Sequence, residues 1–160
     1  MNLQGHQKHP KLTRPKLGHF SRHEWAILGA PCIVIQDLSK RIIKSLSDRY
    51  YCAYVDTKHL APDTSAELPG MLAEGASMEY TDVLDYRQLM STTPWGQHQA
   101  RTVFNTCDLA LINGNHHLAD AQVVIIDPAK ADSLKRRKDQ LTNVCLILLK
   151  DEDTQVFDFL

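Results

Sequence analysis

Residues 25–46, "WAILGAPCIVIQDLSKRIIKSL", decide the fold. An apolar run stops at Gly29-Ala30-Pro31. Ile35, Leu38, Ile42 and Leu46 then recur at spacings of three and four, the signature of a helix with one buried stripe. Lys40, Arg41, Lys44 and Asp48 occupy the other side. The segment therefore reads as strand, tight turn and helix.

Working outward, "EWAIL" (24–28) is a first strand and "YCAYVD" (51–56) a second, followed by a loop, "TKHLAPDTSAELPG" (57–70), marked by its Pro, Asp, Ser and Gly content. In "SMEYTDVLDYRQLMST" (77–92), two short β-prone runs around Val83–Asp85 predict a hairpin insertion. Pro94 suits the first turn of a helix that "WGQHQARTVFN" (95–105) continues. "CDLALING" (107–114) and "QVVIID" (122–127) are further strands. Pro128 opens a helix through "AKADSLKRRKDQL" (129–141), and "NVCLILL" (143–149) is the last strand. The late strands are apolar almost throughout, as expected where both faces are covered. Five strands alternating with helices thus predict a three-layer α/β domain, its sheet parallel or mostly parallel with helices on both faces. Ligands in such sheets sit at the carboxyl ends of the strands, here after Leu28, Val55, Ile112 and Asp127.

At 160 residues, with 43% hydrophobic and 23% charged residues, the chain can bury one core, which excludes a disordered polymer. Residues 1–23 form a basic, His-rich arm and residues 24–160 a single domain. No apolar run approaches the roughly 20 residues of a membrane helix. The N-terminal stretch lacks the apolar centre of an export signal, so a cytoplasmic location is expected. Residues 1–60 carry 10 Lys/Arg against 4 Asp/Glu, and residues 61–160 carry 8 against 15. A +6 spread this thinly suits an anionic small ligand rather than nucleic acid. Cys32, Cys52, Cys107 and Cys145 lie in or beside apolar segments with no C-x-x-C pair, so buried reduced thiols are expected.

The turn invites comparison with the phosphate-binding G-x-x-x-x-G-K-[ST] loop, in which backbone amides cradle phosphate, the lysine neutralises charge and the hydroxyl ligates magnesium. With Gly29 as the first glycine, the second glycine, the lysine and the hydroxyl residue fall on Val34, Ile35 and Gln36, and all three are replaced. Pro31 removes one amide donor. At the end of "DLALINGN" (108–115), Asn113 stands where a magnesium site wants a carboxylate. Two separate parts of the phosphate machinery are therefore missing together.

In their order, the Gly29 turn, "AYVDTKH" (53–59), "AEGA" (73–76) and "DLALINGNHH" (108–117) resemble the MobB-like P-loop domain, which assists molybdopterin-guanine dinucleotide biosynthesis. Lys58-His59 matches the family's Lys-His turn, Gly75-Ala76 its Gly-Ala, and Asp108 with Gly114 its last Asp-led strand. The resemblance spans about residues 24–150 and implies a P-loop-NTPase-like fold whose phosphate loop is degenerate. It also implies the leading domain of fused proteins in which a molybdenum cofactor guanylyltransferase of the MobA type follows. The function it suggests is a non-catalytic adaptor or regulatory domain beside that guanylyltransferase, touching molybdopterin or a guanine nucleotide. Two alternatives stand beside it: a GTPase or phosphotransferase with an atypical loop, and a module that forms a homodimer.

The candidate phosphate- or cofactor-binding residues are Gly29, Ala30 and Cys32 in the first turn, Lys58 and His59 after the second strand, Asn113 and Gly114 at the end of the third, and Arg14, Lys16 and Arg22 on the arm. The arguments are the carboxyl-edge position, with Asp63 oriented to steady His59, and, for the arm, arginine's bidentate grip on phosphate. A solvated tail competes with the second of these. No catalytic set emerges, since there is no G-x-S-x-G elbow. Cys32 at a helix start is first a packing residue and second a reactive thiol. The pairs His6/His9 and His19/His23 could chelate on a helix, but Pro10 and Gly18 argue against a regular one, and His116-His117 on a strand would face opposite ways, so no metal site is expected. "SLKRRKDQ" (133–140) reads as a solvated helix face, and Trp95 and Phe104 as packing residues.

Overall fold

The computed structural model describes residues 18–58 and 67–160. Five parallel strands form one sheet: β1 (Glu24–Leu28), β2 (Cys52–Val55), β5 (Leu109–Asn113), β6 (Ala121–Ile126) and β7 (Val144–Leu149), in the spatial order β2-β5-β1-β6-β7. β3 (Met78–Val83) and β4 (Tyr86–Ser91) form a separate antiparallel hairpin. The helices are α1 (Cys32–Leu46), α2 (Gly70–Ala73), α3 (Gln97–Phe104) and α4 (Ala131–Arg136). The expected α/β sheet and hairpin insertion are both present.

Side chains alternate across each strand, so register assigns the faces. Ile27, Val123 and Ile125 pack against Ala30, Ile35, Leu38 and Ile42, putting α1 on one face. On the other face, Ala53, Val55, Ala110 and Ile112 pack with Phe20, Ala100 and Phe104. Leu28, Val124 and Ile126 pack there with Leu134, Phe157 and Phe159. Each fully buried aliphatic side chain contributes roughly 2 kcal/mol of hydrophobic stabilisation, and the middle strands supply most of them.

Residues 18–23 are tied into this core by one carboxylate. Glu24, 1% exposed, accepts the amides of His19 (2.6 Å), Phe20 (2.6 Å), Ser21 (3.0 Å) and Asp120 (3.1 Å). This seats Phe20 edge-on against Phe104 and His117.

Some expected elements shift. Pro94 precedes α3 rather than opening it, and Gly96 is the N-cap. The helix after Pro128 breaks into a 3-10 turn (Pro128–Lys130), the six residues of α4 and a second 3-10 turn (Lys138–Gln140), with Asp127 capping the start through Ala129 N–H at 3.0 Å. β7 is apolar in sequence but is an edge strand, and Cys145, Leu146, Ile147 and Leu149 are exposed. Apolarity there does not mean burial on both faces, and Cys145 is not the buried thiol expected.

Candidate functional site

The first turn is short. Three residues separate β1 from α1, and Gly29 takes φ +89°, where a Cβ would meet the Ile125 carbonyl oxygen at 2.4 Å. Only glycine fits that combination. The amides of Val34 and Ile35 both donate to Pro31 O, at 2.9 and 3.2 Å, so they close the first helical turn instead of lining a phosphate cradle. Ile35 is fully buried against the sheet. Ile35 thus points into the core.

Beside this turn, at the carboxyl end of β2, lies a hydrogen-bonded carboxylate, Asp56. Asn113 pairs in register with Ile27 and so faces the α1 side. Its Nδ2 donates to Asp56 Oδ1 at 2.8 Å. Gln36 Nε2 donates to Asp56 Oδ2 at 2.9 Å, Tyr54 O–H to the same oxygen at 2.8 Å, and the Thr57 amide to Oδ1 at 2.7 Å. Burial alone would raise the Asp56 pKa, but these four donors outweigh it and hold the carboxyl below its ordinary value. Burial first, then the bond and charge of Asp56, push the Tyr54 hydroxyl well above its usual range. Gln36 and Asn113 thus both spend their side-chain amides on Asp56.

Beside this hub, Cys32 Sγ lies 3.3 Å from His116 Nε2, and Asp56 Oδ1 is 4.0 Å from that same nitrogen. One ring nitrogen thus faces both groups. His116 and His117 lie in a turn with both amides on Asn113 O, not on a strand. His117 Nε2 is 3.0 Å from Thr57 Oγ1. Asn115 Nδ2 donates to Ala30 O at 2.9 Å, and Gly114 N–H to Ile27 O at 2.8 Å.

The structure therefore brings together Gly29, Ala30, Cys32, Asn113 and Gly114 at one edge. Lys58 is exposed just beyond β2. Arg14, Lys16, His59, Asp63, His6 and His9 lie outside the described residues. Arg22 lies elsewhere, lining a cavity of about 400 Å³ with His23, Arg101 and Asp108, next to the amino end of β5. Among the described residues, no cluster of three or more His, Cys, Asp or Glu side chains could hold a metal ion, and no helix is long and apolar enough to cross a membrane. Sequence reasoning missed Asp56, whose place at the end of β2 was the available signal. It also missed Arg137, which leaves the charged run of 133–140 and turns inward to Gly114 O at 2.5 Å.

No protein-family model and no curated protein matches the chain. Among solved structures, MobB of Bacillus subtilis superposes with a TM-score of 0.59, over 84% of this chain and 82% of that one, at 16% sequence identity. The chain has a MobB-like, P-loop-NTPase-like α/β fold.

Proposed function

We propose that this chain is a non-catalytic MobB-like module of molybdopterin-guanine dinucleotide biosynthesis, an adaptor beside a guanylyltransferase of the MobA type. The observation that carries the reading is the Asp56 hub. The side chains in place of the metal-binding hydroxyl and carboxylate, Gln36 and Asn113, hold a carboxylate from within. A degenerate phosphate loop fits the same picture, with the amides of Val34 and Ile35 consumed by Pro31. Lys58, with His59 and the basic arm, would face molybdopterin or its guanylylated form. Titrating the full chain with GTP and magnesium tests this: no heat is expected at micromolar concentrations, and co-elution with the guanylyltransferase is. Micromolar GTP binding would overturn the adaptor in favour of an enzyme with an unorthodox loop.

The hairpin favours a second, compatible reading as a dimerisation module. Met78, Tyr80 and Leu89 are 56%, 60% and 42% exposed, and cross-strand register puts them on one face, with Tyr80 opposite Leu89. Light scattering that gives a strict monomer would remove it.

A further inference from the structure

The Gly29 turn also borders the α4 segment. There a cavity of about 340 Å³ opens between Gly29, Ala30, Asn115 and the flank of α4, with Lys130, Ser133 and Arg137 on its wall and no carboxylate among its lining residues. Arg137 is half-buried, and each of its guanidinium nitrogens meets a neutral acceptor: Nη2 on Gly114 O at 2.5 Å, Nη1 on Asn115 Oδ1 at 3.5 Å and Nε on Gln140 Oε1 at 3.0 Å. A guanidinium has five N–H donors, so two remain for a ligand. Among the described residues neither Arg137 nor Lys130 forms an ion pair. Burial penalises the Arg137 cation and lowers its pKa, so a counter-anion would relieve a real cost. Two uncompensated cations, one with fixed fork geometry, and a nearby hydroxyl make a field selective for a compact dianion.

We propose that this cavity is a subsite for a phosphate monoester, gripped by the Arg137 fork and the Lys130 ammonium with the Ser133 hydroxyl as a third donor. The site borders the first turn at Gly29 and Ala30, and its polar groups come from the segment 130–137 rather than from a lysine and hydroxyl of the turn itself. It does not depend on the adaptor reading, and a monoester could be carried by a nucleoside or by a pterin.

The test is titration calorimetry on the full chain with inorganic phosphate, GMP, neopterin monophosphate and, as a neutral control, guanosine. The expected outcome is monoester binding with Kd of about 0.1–1 mM in low salt, weakened several-fold by ~0.5 M NaCl. Guanosine should not bind. Lys130→Gln, at an exposed position outside the packed clusters, should weaken binding at least about fivefold with an unchanged melting temperature. Ser133→Ala should weaken it about two- to threefold. Whichever ester binds tighter upholds the site and names what carries the phosphate. Guanosine binding as well as GMP, unchanged affinity in Lys130→Gln, or no monoester binding below about 10 mM would each overturn the proposal. Failure here leaves the GTP–magnesium result untouched, so the two readings fail separately.

Discussion

Asn113→Asp puts a second carboxyl group where an amide now donates to Asp56 at 2.8 Å, at a site with no solvent exposure. Two ionised carboxylates about 4 Å apart repel by about 4 kcal/mol at an effective dielectric of about 20. The fold can avoid this by taking up one proton, and proton uptake caps the penalty. With carboxyl groups of pKa about 4 in the unfolded chain and 1.36 kcal/mol per pH unit, the cap is about 4 kcal/mol at pH 7 and about 1.4 kcal/mol at pH 5. The sign follows from linkage: the shared proton binds more tightly in the folded state, so the folded pKa lies above the unfolded one and the variant recovers as pH falls. In the native chain Asp56 is held below its ordinary pKa, so its contribution is present above the unfolded value and fades only as pH drops through the lower folded value. It is constant between pH 7 and pH 5 and serves as the internal control. Urea unfolding with a slope of about 2 kcal/mol/M should show the variant's midpoint down by about 1–2 M at pH 7 and by less than about 1 M at pH 5. No loss at pH 7, or the same loss at both pH values, would show that Asn113 does not serve Asp56 as described.

Three further perturbations probe the frame. Gly29→Ala forces a Cβ against the Ile125 carbonyl at positive φ, and a melting temperature lowered by at least about 5 °C is expected, since a clash and a strained dihedral act together. Glu24→Gln keeps an acceptor oxygen for two of the four amide donors and turns an NH2 group toward the other two. It should cost about 2 kcal/mol and speed hydrogen exchange at residues 19–21, while unchanged exchange would deny the tether. Ile35→Lys with Gln36→Thr should yield no GTPase activity, because the lysine enters the core and Val34 still lacks a glycine backbone. It should also lose at least about 3 kcal/mol in urea, and appreciable turnover would show that the loop is aligned wrongly.

How much of this was legible in the sequence depends on the kind of signal. The strand–turn–helix at 24–46 carries its own periodicity, and the apolar runs at β5 and β6 declare a covered sheet. Runs of one residue class report burial only where the strand is central. β7 is as apolar as β6, but it lies at the rim, and no local pattern tells rim from middle. The run after Pro128 contains nothing that forbids a long helix, yet Arg137 leaves its charged neighbours for the Gly114 carbonyl, and the helix ends there. The substitutions at Val34, Ile35, Gln36 and Asn113 were visible one by one. That Gln36 and Asn113 converge on Asp56 was not, because residues 56 and 113 meet through the register of β2 and β5 and residue 36 reaches them only through the packing of α1 on the sheet.

Arg137 joins the two flanks of the first turn. Its guanidinium holds the Gly114 carbonyl, and the same short segment carries His116 to Cys32. An anion taking the two remaining N–H groups would fix that guanidinium with its Gly114 bond in place and so steady the segment. By reciprocity, whatever steadies the segment would tighten the anion by the same factor. One cation thereby makes the two flanks of the sheet's carboxyl edge energetically answerable to each other.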